Sequence, residues 1–185
     1  IKLGKYILSQ DFMNVQIRDD YNNTFFHYYK DIEILQILSD KGLDINSPNN
    51  NGETPFLLLI ARGNSYDEGI DWTNVIDKMI ELGADPNIVD NDGMSILHRV
   101  DEIKWTKKIK EILTESQWNE MINLRDNMNN TPLFTTYDKD KYNYLIDNGA
   151  DEEKGWFNNP DILLEGGQTK SGKIGGGIPL KYMIE

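Results

Sequence analysis

Hydrophobic positions along the chain recur at helical spacing in short blocks, and a tight polar turn precedes most of them. Phe56, Leu57, Leu58, Leu59 and Ile60 follow one such turn, and Ile96, Leu97 and Val100 follow another. Each block is expected to form a helix with its apolar side on the core. A second helix is expected to close each unit, over residues 32–40, 75–82, 109–114 and 142–147. Three of these run into glycine, at Gly42, Gly83 and Gly149, and glycine is the usual left-handed residue just past a helix end.

The turns share one order: Asp or Asn, two variable residues, Gly or Asn, one variable residue, then Thr or Ser. The copies are Asp19-Asp20-Tyr21-Asn22-Asn23-Thr24, Asn49-Asn50-Asn51-Gly52-Glu53-Thr54, Asp90-Asn91-Asp92-Gly93-Met94-Ser95 and Asp126-Asn127-Met128-Asn129-Asn130-Thr131. Gly and Asn tolerate a left-handed backbone, and Thr or Ser caps the orphan amides of a following helix. In two copies Pro55 and Pro132 come next, at the first helical position, where a missing amide costs nothing. Behind the second helices stand Leu43-Asp44-Ile45-Asn46, Ala84-Asp85-Pro86-Asn87 and Ala150-Asp151-Glu152-Glu153. The first two lead directly into the next turn, so the units are contiguous.

This pattern resembles the ankyrin repeat, in which a turn, T-P-L-H, two antiparallel helices and G-A-D-x-N follow in order. The residues that carry the likeness are Thr24-Phe25-Phe26-His27, Thr54-Pro55-Phe56, Ser95-Ile96-Leu97-His98, Thr131-Pro132-Leu133 and Gly83-Ala84-Asp85-Pro86-Asn87. The resemblance implies an all-α fold, an ankyrin-repeat solenoid of stacked helix-turn-helix units with projecting turns. Residues 1–185 are read as one such domain, with a partial leading repeat or cap over 1–17 and repeats over 18–46, 47–87, 88–123 and 124–154. A divergent segment or partial repeat occupies 155–185, where Ile178-Pro179-Leu180-Lys181 again looks like a repeat start.

The spacings from Thr24 to Thr54, Ser95 and Thr131 are 30, 41 and 36 residues, so insertions and deletions must sit in loops. The second unit carries its extra residues over 64–73. The third replaces G-A-D-x-N by Asn119-Glu120-Met121-Ile122-Asn123, after what is expected to be an extended second helix. Residues 6–14 look like the outer helix of the leading repeat, with Phe12 where the family has Gly.

Charge narrows the partners. The formal net charge is −12, with 31 acidic against 19 basic residues. A nucleic-acid binder must present Lys and Arg to phosphates, so no nucleic-acid partner and no membrane partner is expected. An acidic surface speeds encounter with a basic protein instead. Cysteine is absent, which excludes a disulfide framework, a thiolate zinc site and a cysteine nucleophile, and fits a cytoplasmic location. No apolar run approaches the roughly 18 residues that span a bilayer. The chain lacks an initiator Met, as a processed form or a piece of something longer would.

Candidate chemistry is thin. His27 and His98 both fall on the fourth position of the T-P-L-H-like motif, where the family role is to bridge neighbouring turns by hydrogen bonds. As bases or ligands they would need a nucleophile or clustered partners, and they lie two repeats apart. Gly167-Gln168-Thr169-Lys170-Ser171-Gly172-Lys173 has the spacing of a phosphate loop, but Ile174 stands where Ser or Thr should hold magnesium. With no buried strand evident before it and no helix after, it is read as a flexible Gly-rich connector. Asp67, Glu68 and Asp71 read as solvated surface, and Asp90-Asn91-Asp92-Gly93 as a turn, since no Glu closes a calcium loop behind it. The chain is therefore read as no enzyme, with no cofactor, no metal and no catalytic residue.

What the ankyrin resemblance implies is protein binding at turn tips and inner helices. Carried onto this sequence, the turn positions are Asp20, Tyr21, Asn23, Asn50, Asn51, Glu53, Asn91, Asp92, Met94, Asn127, Met128 and Asn130, with Lys30 and Arg62 near inner-helix ends. Tyr66 and Trp72 join them as aromatics in the inserted loop, Trp72 fitting either an anchor or a lid over the stack. An immunity protein that occludes a cognate bacterial toxin is the most specific function this suggests. The alternative is the recognition domain of a larger ankyrin effector or adaptor, and a nucleotide-binding enzyme built on the Gly-rich tail ranks last. A monomer is expected.

Overall fold

A computed structural model of the chain describes residues 2–62 and 69–151. It divides into two compact units, Ile1–Asn91 and Asp92–Glu185. The described residues contain helices and turns and no β-strand.

In the first unit, α1 (Lys2–Ser9) packs on α2 (Ile32–Asp40), and α2 on α4 (Trp72–Glu81). The inner layer consists of a single 3-10 turn, Phe25–His27, against α3 (Pro55–Arg62). Between the layers lie Phe26, Leu35, Leu38, Phe56, Ile60, Ile76 and Met79, all nearly solvent-free. In the second unit α5 (Ile96–Arg99) packs on α8 (Pro132–Thr135), and α6 (Ile103–Ile112) on α9 (Lys139–Asp147). Leu97, Ile109, Trp118, Ile122 and Leu145 fill its core. All-α, with inner and outer helices alternating behind each turn, this is the ankyrin-repeat fold.

Most second helices start earlier than their apolar spacing indicates, because their caps are polar residues upstream. Asp31, Asp71 and Asp138 each accept amide hydrogen bonds from the first turn of α2, α4 and α9, the usual way to satisfy orphan donors. Two further expectations are corrected. The leading helix spans Lys2–Ser9 rather than 6–14: the Ser9 hydroxyl and Gln10 amide both donate to the Tyr6 carbonyl and end it. The third copy has no extended second helix. α6 stops at Ile112, and Thr114 caps a separate α7 (Glu115–Met121), with Gln117 bonded back to the Thr114 amide at 2.9 Å. Thr114-Glu115-Ser116-Gln117 is a capping box visible in the sequence.

Three of the four inner helices are cut to about one turn. From first cap to second cap, Thr24 to Asp31, Ser95 to Glu102 and Thr131 to Asp138 each span seven residues. A helix this short leaves its carbonyls without internal partners. In α5 those acceptors are met from α9 and α8. The ammonium of Lys141, wholly buried, donates to the Leu97 carbonyl at 3.1 Å and to that of Val100, and the Thr135 hydroxyl donates to the His98 carbonyl.

Candidate functional site

The turns are built by their first residue. The carboxylate or amide oxygen of Asp19 accepts from the amides of Tyr21 and Asn23, that of Asn49 from Asn51 and Glu53, and that of Asp126 from Met128 and Asn130, all between 2.8 and 3.0 Å. Asn22, Gly52, Gly93 and Asn129 take positive φ of 66°, 77°, 75° and 69°, the conformation that selects Asn and Gly at this place.

Adjacent turns are then tied edge to edge. In the first unit the Asn50 amide donates to the Tyr21 carbonyl and the Asn91 amide to the Asn51 carbonyl, both at 2.9 Å; in the second, Asn127 donates to Asp92 at 2.8 Å. The histidines lock the same joints from inside. His27 Nδ1 accepts the Thr24 amide hydrogen at 3.0 Å, so its proton sits on Nε2, which donates to the Glu53 carbonyl at 3.1 Å. His98 repeats this with Ser95 and the Asn130 carbonyl. Each imidazole bridges a backbone amide and a backbone carbonyl, with the Thr24 or Ser95 hydroxyl also at its Nδ1 at 3.1 and 2.9 Å, an arrangement that fits a structural role at these positions.

Burial lowers the pKa of His27 below its ordinary value. The unfolded chain therefore binds the proton more readily than the folded one, and stability must fall as pH drops through the ordinary histidine range near 6.5. Urea melts between about pH 7 and about pH 5.5, above the carboxylate range, should show that loss. The slope should flatten in His27→Gln, which cannot titrate there.

Of the expected contact residues, Asp20, Tyr21, Asn50, Asn51 and Asn91 stand exposed on the first unit, and Asp92, Asn127 and Met128 on the second. Asn23, Lys30, Met94 and Asn130 are half-buried. Some of these groups have structural duties. Asn50 and Asn91 donate their side-chain amides to the carbonyls of Asp20 and Asn50. Asn23 bonds Asp19 and Asn49, Asn130 bonds Asp126, and the Lys30 ammonium lies over the Trp72 ring.

One residue departs from expectation, and another takes the second of its two expected roles. Glu53 is not an exposed turn contact: it is 7% exposed, and its carboxylate folds back on the side-chain amides of Asn49 at 2.9 Å and Asn51 at 3.4 Å. Trp72 is a lid rather than an anchor, 8% exposed at the first position of α4. Tyr66, the Arg62 side chain and the segment from 152 onward, with its Gly-rich stretch and second repeat-like start, lie outside the described residues.

The sequence reading missed Ile17 and Tyr28, which are 53% and 57% exposed beside Tyr21 at 71%. Their signal was the seven-residue spacing behind Thr24, which ends the inner helix at His27 and turns Tyr28 outward. Among the described residues no group of three or more histidines or carboxylates is placed to hold a metal ion, and no helix is long and apolar enough to cross a membrane.

A family model for ankyrin repeats (many copies) matches residues 24–67. No curated protein sequence matches the chain. Among solved structures, the ankyrin repeat protein EF0377 superposes with a TM-score of 0.61 at 23% identity, over 93% of this chain and 81% of that one. A chain from the complex of the predatory endopeptidase Bd0816 of Bdellovibrio bacteriovorus with immunity protein Bd3460 gives a TM-score of 0.61 at 19% identity, over 91% and 79%.

Proposed function

We propose that this chain, which belongs to the ankyrin-repeat family, binds a protein partner with a basic surface through the exposed side chains of its turns. Ankyrin repeats are protein–protein interaction modules, and the observation that carries the reading is how the turns are held. Backbone bonds at 2.8 to 2.9 Å join neighbouring turns within each unit, so Tyr21 and Asn51 project from one fixed frame in the first unit, and Asp92 and Met128 from another in the second. Rigid presentation lowers the ordering cost of binding. With a net charge of −12, encounter with a basic protein is favoured and falls with ionic strength.

The more specific reading is an immunity protein that neutralises a cognate toxin by covering its active or substrate-binding surface. The likeness to a chain from an endopeptidase–immunity protein complex supports that choice over an adaptor module. The test is affinity capture from the native organism with this chain as bait, at low and then high salt, followed by an activity assay of the captured protein. One basic protein, released by salt and inhibited at equimolar bait, is the expected result. A captured protein whose activity the bait leaves intact would remove the immunity role.

A further inference from the structure

One end of the first unit differs from the other turns, which present Asn, Asp and Met. Beside the turn at Asp19, the side chains of Ile17, Phe25 and Tyr28 form an open, mainly apolar groove of about 180 Å³. Asp19 stands in its wall. That carboxylate accepts hydrogen bonds from the Tyr21 and Asn23 amides, the Asn23 side chain and the Tyr28 hydroxyl, yet no cation pairs with it among the described residues. The hydrogen bonds, that of Tyr28 foremost, hold its pKa down to about 2, so it stays anionic. Arg18 also lines the groove, but its guanidinium is turned away onto the carbonyls of Asn22 and Pro48 at 2.9 and 3.2 Å and onto the Ser47 hydroxyl. Asp20 and the Tyr21 ring stand exposed in the same turn.

An apolar channel walled by an uncompensated carboxylate and an aromatic ring matches one kind of side chain, a long aliphatic stem with a cationic head. We infer that this groove is the anchor point for the partner, taking one arginine or lysine side chain along Ile17 and Tyr28, with its charged head toward Asp19 and Asp20. The inference rests on the basic-partner reading above and narrows it to one subsite. The stem buries against Ile17 and Phe25, and the head gains both the Tyr28 ring face and the two carboxylates.

The probe is an acetylated, amidated arginine–glycine octapeptide titrated into the full chain at low salt, followed by backbone amide NMR, with glutamate–glycine and leucine–glycine octapeptides as comparisons. Saturable shifts confined to residues near 17–28, from the arginine peptide alone, are expected. Tyr28→Ala and, with the turn's shape retained, Asp19→Asn should each weaken that binding about three- to tenfold, the range for a cation–ring or carboxylate contact; the unshifted spectrum of the remaining turns reports that both variants are folded. Equal shifts with the leucine peptide, no shifts at these residues, or unchanged affinity in folded Asp19→Asn would overturn the anchor. If the native basic partner is captured equally well by Tyr28→Ala, the anchor falls while the binding function stands; if no basic partner exists, the function itself falls.

Discussion

Gly52→Ala should lower the unfolding free energy by about 2–3 kcal/mol, and Gly42→Ala by only about 1–2 kcal/mol, although both glycines have nearly the same backbone. Their φ values are 77° and 74°, so the left-handed strain of adding a Cβ is shared and amounts to about 1–2 kcal/mol. The surroundings differ. A Cβ at Gly42 meets nothing within 4 Å, whereas one at Gly52 lies 2.7 Å from the Asn91 backbone nitrogen and overlaps the Asn91 side-chain oxygen. Backbone cannot swing aside as a side-chain tip can. Relieving the overlap must lengthen the Asn91-to-Asn51 bond that joins two turns, which costs about 1 kcal/mol more. Urea denaturation of the two variants checks this; equal losses would mean that the turn-to-turn bonds contribute nothing to stability.

The second large effect concerns Lys141. Burial lowers its pKa from 10.5 to about 8, while Asp101 and Asp138 pull the other way. The sign follows from proton counting. Between about pH 8 and about pH 10.5 the unfolded chain holds a proton that the folded chain has released, so stability rises with pH across that window. Below about pH 8 both states are protonated, and the penalty is present in full. Its size is at most about 3 kcal/mol, at 1.36 kcal/mol per pKa unit. The folded chain tolerates it because the ammonium satisfies the Leu97 and Val100 carbonyls that the one-turn α5 leaves open. Lys141→Met should abolish the alkaline rise while leaving those acceptors orphaned, and Lys141→Ala should add a cavity of one long side chain, costing about 2–4 kcal/mol at neutral pH. A wild-type unfolding free energy flat from pH 8 to 10.5 would contradict this.

Lys141 also marks where sequence reasoning stopped. Turns, caps and repeat order were legible because each rests on local chemistry: Asp19, Asn49 and Asp126 fold their own turns, and Asn22, Gly52, Gly93 and Asn129 occupy the positive-φ site. Even the weak third link performs as its counterpart does. Asn123 donates to the Gly149 carbonyl and accepts from the Asp151 amide, as Asn46 does with Gly83 and Asp85. What depends on partners far along the chain was not legible. Lys141 reads as one more charged residue of an outer helix until the open carbonyls, 41 and 44 residues earlier, are seen beneath it. Glu53 was misjudged in the same way, since only the folded turn shows Asn49 in need of its carboxylate. Position 134 gives the converse case. Phe134 stands where His27 and His98 accept the Thr24 and Ser95 hydroxyls, and the buried Thr131 hydroxyl consequently has no partner.

The candidate contact surface is less fully written in the sequence than the fold, because exposure at a turn position does not separate a residue that binds from one that braces its neighbour. Asn91 and Asn127 illustrate this: both are exposed, and both lie close over the glycine of the preceding turn. Tyr21 and Met128, at 71% and 75% exposure, carry the contact reading more directly.

The central claim is that turn side chains, rather than outer helices, contact the partner. The most direct measurement is the affinity of the captured native partner for Tyr21→Ser and Met128→Ser, made separately, beside Lys104→Glu and Lys107→Glu on the exposed face of α6. A loss of about tenfold or more in at least one turn variant, with the α6 variants unchanged, is what the account predicts. Full affinity in both turn variants together with loss in the α6 variants would contradict it.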